Sequence, residues 1–400
     1  MGPTIFISAG EASGEHYGAL LVEAVKRRLG ERGGAARFFG MGGERMARAG
    51  LDVVVRSEDM AVMGLTEVVR HLPRIYREFR KLKRAIGERR PDVAVLIDFP
   101  EIHFRLARQL HGLGVPVIFF VSPQLWAWKK HRIQLVRKYV REMLVIFPFE
   151  EQFYREQGVE AEFVGHPLAE LATPTVTRAE FAAENGLDAG KTWVALLPGS
   201  RAKEIGDHLP EMLEAARGLE ARAQAEGMEF VVPLAPTLNA AQRETVVKLV
   251  ERFGRGLDVR LVKDARGALY HARASVVASG TATVEAALMG NPFVVVYRVS
   301  RLTYEIAKRV VTVAHVAMVN LIAGRRVVPE LIQEEFTAGN IVQQMERLLP
   351  DGGPRQSMME ELARIRGLLN TGAGKGGGAI DRVAEIALGL LKASGETGKG

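Results

Sequence analysis

The fold class of this chain is indicated by the run Asp92-Val-Ala-Val-Leu-Ile-Asp-Phe-Pro-Glu-Ile-His-Phe-Arg-Leu-Ala-Arg-Gln-Leu-His111. Its first part, Asp92–Ile97, is an apolar run without polar alternation, which predicts a strand buried on both faces. Its second part, Ile102–His111, repeats apolar residues at helical spacing and predicts an amphipathic helix. Because a strand that is apolar on both faces needs helices on both sides, the stretch predicts a parallel α/β sheet.

Strands and helices alternate in the same way along the rest of the chain. The first half has further predicted strands at Thr4–Ser8, Val115–Val121, Met143–Phe147 and Glu162–Val164, and helices at Gly14–Leu29 and Glu150–Gln157. A polar Thr/Pro stretch, Ala172–Arg178, then predicts a linker. After it the pattern restarts, with predicted strands at Trp193–Leu197, Phe230–Pro233, Val259–Val262, Ala274–Ala278 and Phe293–Val296.

The predicted fold class is therefore α/β, with two Rossmann-like, doubly wound parallel-sheet domains. We expect residues 1–171 to form the first domain, 172–348 the second, and 349–400 a set of C-terminal helices with a flexible tail from Ser394. The glycine-rich Thr371–Gly378 follows a helix rather than a strand, so it is interpreted as a flexible joint and not as a phosphate loop. Ligands of such sheets bind outside the carboxyl ends of the strands, which predicts a site in the cleft between the domains.

The composition is that of an ordinary globular protein. The 400 residues suit two domains, and 47% of them are apolar, enough for a sizeable core. The absence of cysteine excludes disulfides and thiolate metal sites. The first residues lack a signal-peptide pattern, and no run of 18 apolar residues predicts a membrane span, so a cytoplasmic location is expected.

Positive charge is concentrated between Arg70 and Arg90. The formal net charge of the chain is +7, and this segment has nine Lys or Arg residues against two Glu. Apolar residues recur between them at roughly helical spacing, which suits a basic amphipathic helix on an anionic membrane surface. The other interpretation is a solvated helix face beside the core. No nucleic-acid-binding motif accompanies the charge, so no nucleic acid partner is expected.

The turn after Trp193–Leu197 has the composition of an anion site. It reads Leu196-Leu-Pro-Gly-Ser-Arg-Ala-Lys-Glu204 and leads into a predicted helix. Amide groups at a helix start attract anions, glycine lets a phosphate approach, and the arginine adds a forked cation. The candidate nucleotide-binding residues are Gly199, Ser200, Arg201 and Glu204. The alternative is an ordinary strand–turn–helix junction with a surface arginine.

A second turn of this kind follows Ala274–Ala278 and reads Ser279-Gly-Thr-Ala-Thr-Val-Glu285. Its hydroxyls can cap the next helix or bind phosphate, and Glu285 can accept hydrogen bonds from two ribose hydroxyls. The alternative is a capping threonine with a solvated glutamate. Because two such turns occur in one domain, we predict a nucleoside diphosphate site. Its candidate residues in this turn are Ser279, Gly280, Thr281, Ala282, Thr283 and Glu285.

Polar residues also follow the predicted strands of the first domain. Ser8–His16 is glycine-rich, so Gly10, Glu11, Ser13 and Glu15 are expected to line the cleft. It lacks G-x-G-x-x-G spacing, which weakens an NAD(P) interpretation.

Asp98 follows the buried strand and is either a general base or a cap of the next helix. Trp126 and His166 lie on two further loops, with core packing and a structural role as their respective alternatives. No metal-binding motif is present, so no metal or cofactor is expected, and the charge of a leaving group would be met by Arg201 and helix N-termini.

A series of motifs resembles the lipid-A-disaccharide synthase family, whose members are GT-B glycosyltransferases. The matching stretches run in family order over roughly residues 4–345. They are S-A-G-E-A-S-G-E (8–15), F-F-G-M-G-G (38–43), M-G-L-T-E-V (63–68), the Asp98 loop, V-S-P-Q-L-W-A-W (121–128), F-P-F-E (147–150), F-V-G-H-P (163–167), L-L-P-G-S-R (196–201), S-G-T-A-T-V-E (279–285) and N-L-I-A-G-R (320–325).

The resemblance implies an inverting transferase. Its donor would be UDP-2,3-diacylglucosamine, its acceptor 2,3-diacylglucosamine 1-phosphate (lipid X), and its products the β(1→6) lipid A disaccharide 1-phosphate and UDP. The base role would fall to Asp98, UDP binding to Ser200, Arg201, Ser279–Thr283 and Glu285, and Asn320 belongs to a site motif. The resemblance also implies peripheral attachment to the inner face of the inner membrane, and it leaves a homodimer open.

Two residues depart from the family pattern. The family usually reads Asp-x-Pro-Asp-Phe-Asn, whereas this chain has Glu101 and His103 in the run Asp98-Phe-Pro-Glu-Ile-His103. The departure keeps Asp98 as the candidate base, and it leaves open how the acceptor would bind.

Two other functions remain under this interpretation. One is another GT-B enzyme acting on UDP-GlcNAc, either a GlcNAc transferase to a lipid acceptor or a UDP-GlcNAc 2-epimerase, which needs no acceptor. The other is a non-catalytic nucleotide-binding protein, against which Asp98, Arg201 and Glu285 argue.

Overall fold

The computed structural model describes residues 2–60, 65–222, 227–311, 313–370 and 377–396. The chain forms two compact units. The first contains Met1–Glu170 and Leu369–Gly400, and the second contains Leu171–Leu368. The stretch 349–400, which the sequence analysis set apart as a C-terminal segment, is therefore divided between the two units.

The first unit is built on a sheet of seven parallel strands. The strands are β1 (Thr4–Ala9), β2 (Arg37–Gly42), β3 (Asp52–Arg56), β4 (Val93–Ile97), β5 (Val117–Phe120), β6 (Glu142–Val145) and β7 (Glu162–Phe163). Their order across the sheet is β3-β2-β1-β4-β5-β6-β7. The chain thus builds outward from β1 in one direction and from β4 in the other, which makes β1/β4 the topological switch point.

Helices cover this sheet because its central strands are apolar on both faces. All five residues of β4 are buried, as are all six of β1. The helices between the strands are α1 (Ala12–Gly30), α2 (Glu44–Ala49), α3 (Leu65–Arg89), α4 (Pro100–Gly112), α5 (Ile133–Tyr139) and α6 (Pro148–Glu156).

The second unit repeats the design with six parallel strands. They are β8 (Thr192–Leu197), β9 (Met228–Pro233), β10 (Val259–Val262), β11 (Ala274–Ala278), β12 (Phe293–Tyr297) and β13 (Glu330–Ile332), in the order β10-β9-β8-β11-β12-β13. Its helices are α7 (Arg178–Asn185), α8 (Ala202–Glu220), α9 (Ala240–Phe253), α10 (Ala265–His271), α11 (Thr281–Leu288), α12 (Arg301–Val310), α13 (Met318–Ala323), α14 (Ala338–Leu348) and the greater part of α15 (Gly353–Asn370). The switch point of this sheet lies between β8 and β11.

The last helix, α16 (Ala379–Glu396), packs on the first unit. Asp381 forms ion pairs with Arg27 (2.5 Å) and Arg28 (3.2 Å) of α1, and Arg382 pairs with Glu162 of β7 (2.5 Å). These contacts tie the C-terminal helix to the sheet edge. The helix continues to Glu396, past the start of the predicted tail, whereas 397–400 and most of the predicted joint (371–376) lie outside the described residues.

The alternation of strands and helices was predicted correctly, but three strands were missed. β2 contains two glycines, β13 has three residues, and β3 is an edge strand with charged ends. Each of these features weakens the local strand pattern, so the strands form through pairing with neighbours. The start of the motif at residues 63–68 lies outside the described residues. No helix in the described part of the chain has the length and apolar character needed to cross a bilayer.

Candidate active site

In the first unit, the loops after β1 and β4 meet at the switch point. Ala9 is in register with Ile97, so Gly10–Glu11 and Asp98–Phe99 leave the sheet side by side. Glycine is needed at position 10, because a Cβ there would lie 2.2 Å from Cγ of Phe99. The Gly10–Glu11 loop and Asp98, proposed separately from sequence, therefore belong to one edge.

Asp98 and Phe99 both have left-handed backbone conformations, with φ values of 52° and 50°. Such conformations are strained for residues other than glycine and recur at functional sites. Phe99, not Asp98, is the N-cap residue of α4, and no side chain caps that helix. The cap interpretation of Asp98 is therefore wrong, and its carboxylate accepts a hydrogen bond from the amide of Phe99.

The carboxyl group of Asp98 has a strongly perturbed acidity. Burial raises its pKa to about 7, the negative charge of Glu11 adds to this effect, and the hydrogen bond from the Phe99 amide opposes it. A carboxylate with a pKa near the working pH can accept a proton during reaction and is ionised often enough to do so. The edge of the first unit therefore contains a general base candidate.

The two residues that depart from the family pattern occupy different environments. Glu101 is held by Arg132 (2.7 Å) and Lys129 (3.0 Å), and these cations, Arg132 foremost, lower the pKa of Glu101 to about 2. His103 is fully buried behind Asp98, where burial lowers its pKa to about 4. Glu101 therefore stays ionised at the protein surface, and His103 stays neutral in the interior of the first unit.

The aromatic loop after β5 presents a different ring from the one expected. Trp126 is buried, and its Nε1 donates to Oε1 of Glu150 at 3.0 Å. Burial raises the pKa of Glu150 to about 7. Trp128 is 41% exposed instead, with Nζ of Lys129 lying 3.9 Å from its ring centroid. Core packing accounts for Trp126, and Trp128 is the accessible aromatic.

Two other sequence candidates of the first unit have internal partners. Glu15 accepts a hydrogen bond from the amide of Arg45 at 2.9 Å, at the start of α2. His166 is buried, which lowers its pKa to about 3, and its Nδ1 accepts from the amide of Leu168 at 3.2 Å. Both contacts stabilise the loops around them. Ser13 is half-buried in the first turn of α1.

In the second unit, the two predicted phosphate turns follow β8 and β11, which are neighbours at the switch point. Gly199 has φ 118° and Gly280 has φ 148°, values that favour glycine. Both turns open helices, α8 and α11. The structure therefore brings together two turns whose glycines are 81 positions apart in sequence, and both present helix N-termini at one edge of the sheet.

Glu204 lies directly over the first of these turns. Its Oε2 accepts from the amide of Ser200 at 3.3 Å, and its Oε1 pairs with Nη1 of Arg201 at 3.1 Å. A Cβ at Gly199 would lie 2.6 Å from the same carboxylate. The carboxylate of Glu204 thus accepts the hydrogen bonds that a bound anion would accept, and it orients the half-exposed guanidinium of Arg201.

In the second turn, the hydroxyls of Ser279 and Thr283 have hydrogen-bond partners inside the protein. Thr283 is buried and donates to the carbonyl of Gly280 at 2.8 Å, and Ser279 donates to the carbonyl of Val316 at 3.3 Å. Thr281 is exposed and Ala282 half-buried at the start of α11. Burial is the main effect that raises the pKa of Glu285, and within the described ranges no group donates a hydrogen bond to its carboxylate. Such a carboxylate is suited to accept hydroxyl donors from a ligand.

The side chain of Asn320 stabilises the loop at residues 327–330 through hydrogen bonds. Its Nδ2 donates to the carbonyl of Val328 (3.0 Å) and to Glu330 (2.8 Å), and its Oδ1 accepts from the amides of Val327 (2.7 Å) and Val328 (2.9 Å). Both donors and both lone pairs of the amide are therefore used internally.

Two buried residues that lie behind the carboxyl edge of the second unit's sheet were not found from the sequence. His208 donates from Nδ1 to the carbonyl of Pro198 (2.8 Å) and accepts at Nε2 from the amide of Arg298 (3.1 Å). Gln333 pairs with both backbone groups of Val299 (2.7 and 3.0 Å). Both side chains fix the loops after β8 and β12, and because their partners are distant in sequence, no local pattern identifies them.

The architecture of the two units and the placement of their candidate residues identify the fold. Each unit has a parallel sheet with its candidate residues at the carboxyl edge of the switch point, and the second unit adds paired phosphate-type turns; this is a GT-B glycosyltransferase fold. The structure is similar to the crystal structure of the glycotransferase of kitacinnamycin, with a TM-score of 0.64 at 15% identity, covering 98% of this chain and 99% of that one. The predicted fold class is confirmed.

Sequence comparison identifies the particular family. The family described as lipid-A-disaccharide synthetase matches residues 5–373. The lipid-A-disaccharide synthase of Acidobacterium capsulatum is 58% identical over 399 residues, covering 98% of this chain and 97% of the relative. That of Koribacter versatilis is 51% identical, covering 92% and 94%. The chain belongs to the lipid-A-disaccharide synthase family, enzymes of lipid A biosynthesis, which confirms the resemblance found in its motifs.

Proposed function

We propose that this chain joins UDP-2,3-diacylglucosamine to 2,3-diacylglucosamine 1-phosphate with inversion at the anomeric carbon. Asp98 takes the proton of the acceptor 6-hydroxyl while that oxygen attacks the anomeric carbon of the donor. The bond from this carbon to the β-phosphate oxygen breaks, and UDP leaves with the electron pair. Attack opposite the leaving group converts the α-linked donor into a β(1→6) product. The observation that carries the proposal is the carboxylate of Asp98, held on a strained turn at the switch point with a pKa of about 7.

The second unit provides the groups that bind UDP. In this proposal the diphosphate displaces the carboxylate of Glu204 from the amide of Ser200 and from Arg201, and it takes both donors itself. The helix start at Gly280–Thr281 adds further amides. Glu285 accepts the two ribose hydroxyls. Asn320 supports the site indirectly by holding residues 327–330.

The direct test is mass spectrometry of the products after incubation with the diacylated UDP-sugar and the monosaccharide phosphate acceptor. We expect a disaccharide monophosphate and one UDP per turnover, both dependent on the acceptor. Conversion of UDP-GlcNAc without any acceptor would indicate a 2-epimerase instead. UDP binding without any product would indicate a non-catalytic protein.

The pH dependence of turnover follows from the pKa of Asp98. Because only the ionised carboxylate accepts a proton, kcat should fall about tenfold per pH unit below about pH 7 and level off above it. An acid limb near pH 4, the ordinary range of Asp, would contradict this assignment. Glu11 faces Asp98, so Glu11→Gln should move the acid limb to lower pH by removing the neighbouring negative charge.

The membrane partner is proposed from the basic end of α3. Arg74, Arg77, Arg80 and Lys81 are exposed there, and Tyr76 is 62% exposed, whereas Leu82 and Ile86 are buried in the core. Because the apolar stripe already faces the sheet, we propose that this helix binds anionic lipid mainly through charge, at the inner face of the inner membrane. Each Lys or Arg near such a surface contributes about 1 kcal/mol.

The expected result is salt-sensitive binding to vesicles. The chain should sediment with phosphatidylglycerol vesicles at low salt and dissociate near 1 M salt, where the Debye length is about 3 Å. Arg77→Glu combined with Arg80→Glu should weaken this binding, whereas Arg252→Glu, on α9 of the second unit, should not. Equal sedimentation with neutral and anionic vesicles at low salt would contradict the proposal.

A further inference from the structure

His103 links the loops after β1 and β4 at the carboxyl edge of the first unit's sheet. It lies in the first turn of α4 with its ring fully buried. Nε2 is 2.8 Å from Oγ of Ser8 in β1, and Nδ1 is 2.5 Å from the carbonyl oxygen of Asp98. The ring therefore bridges β1 and the turn after β4, across the switch point.

The chemistry of the partners sets the tautomer of His103. The carbonyl of Asp98 can only accept, so Nδ1 has the hydrogen. The ring is neutral because burial lowers its pKa, so Nε2 accepts, and the hydroxyl of Ser8 donates to it. Each ring nitrogen thus has a defined partner, and the ring has one orientation.

The peptide between Asp98 and Phe99 has a partner on each side. Its carbonyl accepts from Nδ1 of His103, and its amide donates to the carboxylate of Asp98. The two residues that flank this peptide both have a left-handed backbone conformation. Such a conformation costs on the order of 1–3 kcal/mol per residue and persists only where surrounding contacts hold it. The ring of Phe99 packs edge-on against His103, with centroids 5.8 Å apart.

We propose that His103 is a positioning residue that fixes this peptide and thereby aims the carboxylate of Asp98 at the acceptor hydroxyl. The inference rests on the proposed role of Asp98 as the base. Without the Nδ1 donor, the peptide can rotate to a less strained conformation and withdraw its amide from the carboxylate. His103 itself transfers no proton.

Two substitutions separate hydrogen bonding from packing. His103→Phe keeps a ring of similar size and removes both hydrogen bonds, so kcat should fall at least tenfold while the affinity for UDP stays unchanged. His103→Asn can restore the donor at the Nδ1 position, so kcat should remain within a few-fold of the wild type. His111→Gln, an exposed histidine at the end of the same helix, is the matched control and should have no effect.

The pH profile distinguishes positioning from general destabilisation. Loss of the Phe99 amide removes a hydrogen bond that lowers the pKa of Asp98, so the acid limb of kcat in His103→Phe should move to higher pH. The charged group that faces Asp98 from the loop after β1 is Glu11, while Glu101 of α4 is paired with Arg132 and Lys129. Both are unchanged in this variant. A wild-type kcat and acid limb in His103→Phe would overturn the inference.

Nitrogen-15 NMR of histidine-labelled protein tests the bridge independently of the reaction. The signal that disappears in His103→Phe should be a neutral ring with its hydrogen on Nδ1, unchanged between pH 6 and 8. A ring that titrates in this range, or one with its hydrogen on Nε2, would overturn the inference. If the wild type makes no disaccharide, the proposed function fails, whereas an NMR signal of the expected tautomer would still support the bridge.

Discussion

Asp98→Asn should lower turnover by about 10²–10⁴-fold, the range that a positioned general base contributes. The amide is nearly the same size as the carboxyl group but cannot take the proton of the acceptor hydroxyl. Because the proposed nucleotide-binding groups lie in the second unit, the affinity for UDP should not change. Steady-state kinetics and calorimetric titration with UDP measure the two effects. Asp52→Asn, at an exposed aspartate of the same unit, is the control.

The same substitution should stabilise the folded chain. The pKa of Asp98 is about 7 in the folded state against 3.8 for the unperturbed group, so the folded state binds more protons between these values. Stability therefore falls as pH rises from about 4 to 7, and Asn, which stays neutral, avoids this loss. At about 1.4 kcal/mol per pKa unit, the gain at pH 8 is a few kcal/mol, and it should vanish near pH 4.

Thermal unfolding at pH 4 and pH 8 measures the difference between the two proteins. An Asp98→Asn variant that is inactive but no more stable at pH 8 would show that Asp98 is not held in a low-dielectric position. A variant that keeps near wild-type turnover would remove Asp98 from the base role altogether.

Arg201→Ala should lower kcat by about 10²–10³-fold, the usual cost of removing one donor that stabilises developing negative charge. It should also weaken UDP binding by about 10- to 100-fold, since a hydrogen bond to a charged group contributes about 1.5–3 kcal/mol. The substitution has a second consequence, because Arg201 is the ion-pair partner of Glu204. Without it, the carboxylate of Glu204 remains at the turn and repels the diphosphate.

The control for this experiment is Lys203→Ala, an exposed cation in the same first turn of α8. It changes the net charge by the same amount, and it should leave kcat and UDP affinity within twofold. Equal losses in both variants would mean that only overall charge matters. Unchanged UDP affinity in Arg201→Ala would contradict a diphosphate site at this turn.

Much of the architecture was predictable because its signals are local. Apolar runs such as Val93–Ile97 are followed by helical periodicity, and these patterns depend on residues only a few positions apart. The same holds for the turns at Gly199 and Gly280, where glycine is required by the backbone conformation itself. β2 and β13 were not predictable in this way, since their stability comes from neighbouring strands.

The candidate site was predictable in composition but not in the role of each residue. Glu15, His166 and Asn320 have the side chains of binding residues, yet each makes hydrogen bonds within the protein, to backbone groups and, for Asn320, also to Glu330. Glu204 is a predicted nucleotide-binding residue, and in the structure its carboxylate itself accepts the hydrogen bond from the amide of Ser200. A motif shows which functional groups are present, but only the fold shows whether a group is already satisfied.

Local sequence patterns are enough to predict two parallel-sheet units, both phosphate-type turns in the second unit, and Asp98 at the end of a buried strand of the first. The strand order that brings β1 beside β4 and β8 beside β11, and with it the partners of each loop, becomes visible only in the folded chain. This difference follows from the range of the interactions. His103 meets Ser8 across 95 positions, and His208 meets Arg298 across 90, because parallel strands pair only through long crossovers. The stretch Asp92–His111 therefore predicts a buried strand with Asp98 at its end, and the packed sheet buries the carboxyl group of Asp98 and raises its pKa.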